Sequence, residues 1–190
     1  MRAVVLIDGG YLRVRARKAD REYTPQFITA FARATLHADE VMLRALYYDC
    51  APYNGSVKKP ISGTSRKFTG TDSWMNTLAS EDLFAVRRGV LKFRGWVPKS
   101  RVSSPPVDTD FSPKFEQKGV DMKIGLDVAA YSYGRLVERI ILVSNDTDCV
   151  PALKMARKNG LQTVVAYPEG ASVAAELRYH ADFIRSVEFP

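Results

Sequence analysis

Short runs of consecutive apolar residues alternate along the chain with stretches in which apolar side chains recur every three or four positions. Such runs are typical of strands buried on both faces, and the wider spacing is typical of amphipathic helices. Strands and helices that alternate in this way form a mainly parallel sheet with helices on both faces. The sequence therefore predicts an α/β fold with strands over residues 3–7, 41–48, 90–96, 139–143, 161–167 and 183–187.

The predicted helices lie between these strands, over residues 25–36, 72–88, 120–133, 148–158 and 172–180. The first helix has a recognisable start, because Thr24 is a good N-cap and Pro25 is tolerated at the first helical position. We find no internal repeat and no linker that divides the chain. The pattern therefore predicts one domain over residues 1–190.

Two stretches, residues 51–70 and 97–119, show neither pattern and are predicted to be long loops inserted in that domain. The second is rich in proline and serine and mixed in charge. The first is a basic loop without a carboxylate, and its cations are Lys58, Lys59, Arg66 and Lys67. Loops of this length in a compact domain are usually functional lids or disordered segments, so both stretches are informative.

The composition limits the classes to which the protein can belong. Its 190 residues, 46% of them hydrophobic, can bury a core, which argues against disorder. A formal net charge of +7 favours an anionic partner such as nucleic acid. Two cysteines, Cys50 and Cys149, are too few for a disulfide scaffold or a zinc site. No apolar stretch approaches the roughly 18 residues of a membrane span, so we expect a cytoplasmic protein with reduced thiols and no membrane association.

Four aspartates fall where an α/β sheet binds its ligands, outside the carboxyl ends of the strands. Asp8 follows the first strand, Asp146 and Asp148 follow the strand over residues 139–143, and Asp121 begins a helix. Clustered carboxylates repel one another and persist by protonation, by pairing with cations or by binding a metal. Because all-oxygen ligands suit Mg²⁺ or Mn²⁺, this pattern predicts the metal chemistry of phosphodiester cleavage. The basic loop follows a strand and is expected over the same edge, where it suits a polyphosphate substrate.

Each aspartate also has a purely local interpretation. Asp8 before two glycines can form a turn, Asp148 can cap a helix, and Asp146 can form an Asx turn. Asp121 can be an N-cap or a first-turn carboxylate that the helix dipole favours. All four interpretations would have to fall on one sheet edge by coincidence, which favours a shared site.

A fifth carboxylate, Asp127, is not expected to join this site. It lies six residues after Asp121, about 240° around the helix, so the two cannot share a face. Lys123 precedes Asp127 by four residues, and this spacing predicts a surface ion pair between them.

Three segments, in this order and at this spacing, resemble the acidic motifs of NYN domains in the PIN-like nuclease superfamily. The LabA-like branch is the most similar in appearance, and the tail over residues 160–184 also resembles it. The segments are Val4-Val5-Leu6-Ile7-Asp8-Gly9-Gly10, then Lys118-Gly119-Val120-Asp121 with Asp127 behind it, and Val143-Ser144-Asn145-Asp146-Thr147-Asp148 followed by Pro151.

The resemblance implies a Rossmann-like three-layer α/β/α sandwich and a Mg²⁺- or Mn²⁺-dependent ribonuclease site. By position, Asp8, Asp121, Asp146 and Asp148 would be the catalytic, metal-binding acids, and Ser144 and Asn145 would support the loop. The chain departs from the family at Tyr11, where many NYN domains carry asparagine. This tyrosine can stack on a base or pack as a core or rim aromatic.

We therefore expect a ribonuclease that hydrolyses RNA phosphodiester bonds at the aspartate cluster. The expected RNA contacts are Lys58, Lys59, Arg66 and Lys67, with Lys118 and Lys123 nearer the site, and Trp74 or Trp96 either stacks bases or packs in the core. The alternative is a catalytically weak or inactive NYN domain that binds RNA or a protein as a regulatory module. Asp8-Gly9-Gly10-Tyr11 is not a dinucleotide fingerprint, and no P-loop occurs. The sequence leaves a homodimer open.

Overall fold

The computed structural model describes residues 1–190 and contains nine strands and six α-helices. The strands are β1 (Arg2–Asp8), β2 (Val41–Cys50), β3 (Gly55–Lys58), β4 (Ser65–Phe68), β5 (Phe84–Pro98), β6 (Phe111–Lys118), β7 (Arg139–Val143), β8 (Gln162–Pro168) and β9 (Phe183–Val187). The helices are α1 (Gly9–Lys18), α2 (Pro25–Ala34), α3 (Ser73–Ala79), α4 (Val120–Tyr133), α5 (Val150–Lys158) and α6 (Ala175–His180), with short 3-10 helices at Asp108–Asp110 and Thr147–Cys149. None of the helices is long and apolar enough to cross a membrane.

The chain divides into two compact units. Unit 1 contains Met1–Asp49, Ser73–Arg88 and Val120–Pro190, and unit 2 contains Cys50–Asp72 and Gly89–Gly119. Both stretches that the sequence predicted as inserted loops belong to unit 2.

A mainly parallel sheet forms the centre of unit 1. Seven strands follow one another in the order β6-β5-β2-β1-β7-β8-β9, of which β6 and residues 89–98 of β5 belong to unit 2. Strand β1 pairs in parallel with β2 on one side and β7 on the other, and β7, β8 and β9 continue the parallel arrangement. With helices flanking this sheet, the predicted three-layer α/β fold is confirmed.

The strand order has a consequence for ligand binding. From β1 the chain crosses to β2 on one side, and it later returns through β7 on the other side before it continues to β8. The carboxyl ends of β1 and β7 therefore flank the point at which the strand order reverses, which is the usual ligand crevice of such sheets.

Burial on both faces explains why the β1 and β7 segments form strands. Ala3 to Ile7 are completely buried, and so are almost all side chains of β7. On one side α2 contributes Ile28 and Phe31 to the core, and it begins as predicted, with the Thr24 hydroxyl accepting a hydrogen bond from the Phe27 N–H at 3.1 Å. The β7 and β9 boundaries and the α4 boundaries agree with the prediction.

The prediction of one helix over residues 72–88 is wrong for the second half of this range. Helix α3 ends at Ala79, and β5 begins at Phe84 after a turn in which the Phe84 N–H donates to the Glu81 carbonyl at 3.1 Å. Leu83 adopts a left-handed conformation, with a φ of 67°, and this cannot continue a helix. Apolar residues happened to keep helical spacing across the turn, so periodicity alone did not reveal it.

Helix α1 and the strands β3, β4 and β6 were not predicted. Helix α1 starts directly at Gly9, where the sequence suggested a loop, because Asp8 acts as its N-cap. Strand β6 contains Pro113 and four charged or amide side chains, a composition that is unusual for a strand.

Unit 2 contains β-strands in both of the stretches predicted as loops, 51–70 and 97–119, which corrects that prediction in part. Residues 59–64 and 99–107 lie outside the strands, as predicted. Strands β3 and β4 form an antiparallel hairpin in which Val57 pairs with Arg66 and Ser56 with Lys67. Residues 90–98 of β5 pair antiparallel with β6. The basic residues predicted on a loop therefore have the alternating orientation of strand residues.

Candidate metal centre

Three of the predicted aspartates come together in unit 1. Asp121, Asp146 and Asp148 are exposed, and one carboxylate oxygen from each lies within 4.8 Å of the others. Asp121 lies in the first turn of α4, whereas the other two lie in the segment that follows β7. The side chain of Asp146 accepts a hydrogen bond from the Asp148 N–H at 2.9 Å, so its predicted local role and its place in the cluster coexist.

Asp8 lies outside this group of three and is held by hydrogen bonds. It is half-buried at the end of β1, where Oδ1 accepts a hydrogen bond from the Tyr11 N–H at 3.0 Å. Oδ2 accepts a hydrogen bond from the Ser144 hydroxyl at 3.1 Å. The first contact makes Asp8 the N-cap of α1, in place of the turn that the glycines suggested.

Two carboxylates of this region, Asp8 and Asp121, have a raised pKa. Burial is the main cause of the raised pKa of Asp8, and the charges of Asp121 and Asp49 add to it against the two hydrogen bonds. Burial likewise raises the pKa of Asp121, together with repulsion from Asp146 and Asp148. The region therefore carries negative charge that a cation would stabilise.

The chemistry of the side chains fits a hard divalent cation. Carboxylate oxygens are the ligands that Mg²⁺ and Mn²⁺ prefer. Cys149 is the soft donor nearest in sequence, and burial raises the pKa of its thiol to about 12, with further contributions from Asp121, Asp146 and Asp8. A thiol that stays protonated is a poor ligand, so the available donors are oxygens.

Two further residues of the predicted site support the segment after β7. The Ser144 hydroxyl accepts a hydrogen bond from the Asp146 N–H at 3.1 Å while it donates to Asp8. The side-chain oxygen of Asn145 accepts a hydrogen bond from the Ala174 N–H at 2.7 Å, which ties this segment to the start of α6. Both contacts fix the backbone that carries Asp146 and Asp148.

Asp49 is a carboxylate of this sheet edge that the sequence analysis missed. Its side chain is fully buried near the end of β2, forms an ion pair with Arg13 and accepts a hydrogen bond from the Tyr47 hydroxyl at 3.0 Å. The signal was present, since Asp49 directly follows the strand predicted over residues 41–48. Its pairing with Arg13 gives it a structural role between β2 and α1.

Tyr11 lies next to Asp8 in the first turns of α1. Its ring is half-buried, and the Arg15 guanidinium carbon lies 5.4 Å from the ring centroid. The buried hydroxyl has no hydrogen-bond partner within the protein. Burial raises the pKa of this phenol, so it remains a neutral hydrogen-bond donor at physiological pH.

The predicted ion pair between Lys123 and Asp127 is wrong. Asp127 instead accepts hydrogen bonds from the Tyr48 hydroxyl at 2.8 Å and from Nε of Arg87 at 3.0 Å. Both partners lie on strands, Tyr48 on β2 and Arg87 on β5. They bind the Asp127 carboxylate in place of Lys123, whose side chain would have to bend along α4 to reach it. Lys123 remains half-buried in α4, two residues after Asp121.

The other predicted RNA contacts lie in unit 2. Lys58 lies on β3, Lys59 follows it, and Arg66 and Lys67 lie on β4. Lys118, at the end of β6, forms an ion pair with Glu116. Of the two tryptophans, Trp96 belongs to unit 2, whereas Trp74 packs in unit 1, its ring centroid 6.3 Å from that of Tyr23 and 5.8 Å from that of Tyr47.

Comparison with known proteins supports one family. The family model described as the NYN domain matches residues 2–187, nearly the whole chain, without distinguishing a branch. A protein of unknown function from Vibrio parahaemolyticus RIMD 2210633 has a similar structure, with a TM-score of 0.56 and 14% sequence identity over 97% of this chain and 91% of that chain. That likeness shows the fold alone. No curated protein sequence matches significantly.

Proposed function

Because the chain belongs to the NYN family and has its nuclease-type fold, we propose that it is a metal-dependent ribonuclease that hydrolyses RNA phosphodiester bonds. The observation that carries this proposal is the approach of Asp121, Asp146 and Asp148 to within 4.8 Å. These side chains come from two separate segments at the sheet edge where α/β folds bind ligands.

Three aspartates would hold the cation, Mg²⁺ or Mn²⁺, and Asp8 would face it from the end of β1. Such a cation lowers the pKa of water and stabilises charge on a phosphate, which is what phosphodiester hydrolysis requires. Asp8 keeps its orientation through Ser144, which also holds the Asp146 backbone. Asn145 supports the same segment through its contact with Ala174.

Basic side chains of both units would bind the RNA substrate. Lys123 lies two residues from Asp121 on α4 and would contact a phosphate next to the scissile bond. Tyr11, which is half-buried, would border the same substrate with the exposed part of its ring, because its hydroxyl is buried. The RNA backbone would be bound through five of the basic side chains of unit 2, which are Lys58, Lys59, Arg66, Lys67 and Lys118.

A second candidate is a domain that binds RNA without cleaving it, and one observation favours it. Tyr11 replaces the asparagine that many NYN domains carry, and it brings a bulky, half-buried ring next to Asp8. If this ring prevents the substrate phosphate from reaching the acids, RNA binds but no product forms at any concentration of Mn²⁺.

The test is cleavage of an end-labelled single-stranded RNA in Mn²⁺ or Mg²⁺ by the unaltered protein and by Asp146→Asn. We expect the variant to lose at least about a hundredfold in rate, since the substitution removes one charged ligand. Asp82→Asn is the matched control, because Asp82 is exposed and belongs to no such cluster. Equal rates for Asp146→Asn and the unaltered protein would overturn the ribonuclease proposal, and RNA binding without any cleavage would favour the second candidate.

A further inference from the structure

The positive charge of the protein is concentrated in unit 2. This unit carries ten lysines and arginines and four aspartates and glutamates, a formal net charge of +6. The whole chain has a formal net charge of +7, so unit 1 contributes only +1. Most of the net positive charge that attracts a polyanion therefore lies in unit 2.

An aromatic cluster forms the interior of this charged unit. Its ring centroids lie 5.3 to 6.5 Å apart, and its members are Tyr53, Phe68, Phe93, Trp96 and Phe115. All five are only partly buried, so aromatic surface reaches the solvent. The indole N–H of Trp96 donates to the Lys58 carbonyl at 2.7 Å, which fixes the orientation of its ring.

Arg66 covers part of this aromatic surface. Its guanidinium carbon lies 4.8 Å from the Phe68 ring centroid and 5.5 Å from the Trp96 ring centroid. Arg66 is itself exposed, so one side of the planar guanidinium contacts the rings and the other is open. A flat cation on an aromatic ring is a surface on which a nucleobase can stack.

A cavity of about 470 Å³ lies beside this pair. Arg66 and Trp96 line it together with two further cations, Lys59 and Lys99. Its volume falls within the range usual for small-molecule sites. The cavity therefore combines a stacking surface with two ammonium groups that can contact phosphate.

One wall of the cavity is held in place by Asp108. Its carboxylate accepts hydrogen bonds from the Ile61 N–H at 3.0 Å, from the Ser62 N–H at 3.2 Å and from the Ser62 hydroxyl at 2.5 Å. These bonds fix the turn of the β3–β4 hairpin, and they engage the only carboxylate that lines the cavity. These hydrogen bonds hold the turn of the hairpin that carries Lys59 and Arg66 against residues 108–110.

We propose that this cavity binds one nucleotide of a single-stranded RNA, with its base stacked on Arg66 and Trp96 and its phosphate beside Lys59 and Lys99. The inference rests on the proposed function and specifies its substrate as unpaired RNA. Duplex RNA is excluded from this contact because its base faces are stacked inside the helix.

The alternation of side chains along β5 places Lys92 on the face of the strand opposite to this site. Phe93 and Trp96 belong to the aromatic cluster, whereas Lys92, next to Phe93 on β5, points to the opposite face of the strand. Lys92 is exposed and does not line the cavity. It therefore serves as a control cation of the same unit.

The test is the dissociation constant of a fluorescein-labelled ten-nucleotide single-stranded RNA, measured in EDTA at several salt concentrations. Arg66→Lys keeps the charge but removes the planar stacking surface, and we expect it to weaken binding by about tenfold at each salt concentration. The slope of affinity against salt is expected to stay the same, because no charge is lost. Lys92→Ala is expected to change the affinity less than about threefold and to reduce the slope slightly.

A second readout follows Trp96 directly. In a Trp74→Phe background Trp96 is the only tryptophan, and its fluorescence should be quenched by the single-stranded RNA but not by a duplex of equal length. Unchanged affinity in Arg66→Lys, or a Trp96 signal that RNA does not alter, would overturn the proposal. Either result would mean that RNA is held by charge alone.

The two proposals fail separately. Binding in EDTA requires no cleavage, so an Asp146→Asn variant that still cleaves RNA removes the ribonuclease proposal and leaves the binding result unaffected. Conversely, normal binding by Arg66→Lys removes the stacking site, even if the unaltered protein cleaves RNA in Mn²⁺.

Discussion

The hydroxyl of Ser144 donates a hydrogen bond to Oδ2 of Asp8, 3.1 Å away, and thereby joins the end of β1 to the segment after β7. The same hydroxyl accepts the Asp146 N–H at 3.1 Å. One fully buried side chain thus connects the half-buried carboxylate of Asp8 with the exposed cluster that contains Asp146. The orientation of Asp8 and the position of the cluster depend on the same group.

Replacing Ser144 by alanine should therefore lower the cleavage rate without removing any carboxylate. We expect a loss of about tenfold in rate, as for other groups that orient ligands, and about 1 kcal/mol in the free energy of unfolding. Ser132→Ala is the matched control, because Ser132 is equally buried but its hydroxyl donates only to the Val128 carbonyl of α4. An equal loss of cleavage in both variants would mean that Ser144 contributes only to stability.

A close backbone approach at Gly9 sets the position of α1 beside β2. A Cβ atom there would lie 2.2 Å from the Tyr47 hydroxyl oxygen and 2.9 Å from Oδ2 of Asp49. Gly9→Ala should lower the free energy of unfolding by about 1–3 kcal/mol, since buried groups would have to shift. Gly125→Ala, in α4, meets no atom within 4 Å and should raise it by about 0.5–1 kcal/mol. Urea denaturation measures both, and destabilisation of equal size would contradict this account.

The ionisation of Glu40 makes the free energy of unfolding depend on pH. Burial opposes its ionisation, but hydrogen bonds from Arg185, from the His37 N–H and from Arg139 outweigh this effect and lower its pKa to about 2. Because the folded pKa is below the usual value of 4.5, the contribution of Glu40 is complete above about pH 4.5 and is lost as the pH falls towards 2.

Glu40→Gln should therefore reduce the free energy of unfolding by about 3–5 kcal/mol at pH 7, since it breaks a buried ion pair. The difference from the unaltered protein should shrink below pH 4.5. Denaturant titrations between pH 7 and pH 3 measure this, with Glu22→Gln as an exposed control. A difference that stays constant with pH would mean that the charge of Glu40 is not the cause.

Removing one charge from the cluster of Asp121, Asp146 and Asp148 should relieve their repulsion and make the metal-free protein more stable. The pKa of Asp121 is raised by burial and by Asp146 and Asp148, so its ionised form is disfavoured in the folded state. Asp121→Asn should raise the melting temperature in EDTA by up to about 2 °C and abolish the further rise that Mn²⁺ produces. Asp82→Asn should change neither value, and an unaltered Mn²⁺ effect in Asp121→Asn would contradict the assignment.

The sequence predicted the central sheet well because its strands are buried on both faces. β1 and β7 are continuous apolar runs, and such runs have few alternatives to a parallel strand. The same property predicted the site, since Asp8, Asp146 and Asp148 directly follow these strands. The sequence could not show that Ser144 would orient Asp8, because that contact joins residues 136 positions apart.

The β3–β4 hairpin could not be predicted because its strands are short and polar. Ser65, Arg66 and Lys67 on β4 are exposed, and Phe68 is the one apolar residue of this strand, so no apolar run marks it. Helix α1 was hidden for a related reason. Its outer surface is basic, and only Gly9, Leu12 and Ala16 are buried, which gives too few apolar positions for a helical pattern.

Cation binding by Asp121, Asp146 and Asp148 is tested by titrating metal-free protein with Mn²⁺, with free and bound Mn²⁺ distinguished by electron paramagnetic resonance. We predict that the unaltered protein binds Mn²⁺ and that the double variant Asp121→Asn/Asp146→Asn, with folding verified by circular dichroism, loses at least about a hundredfold in affinity. The account is contradicted if both proteins bind the same amount of Mn²⁺ with the same affinity, or if the unaltered protein binds none at millimolar Mn²⁺.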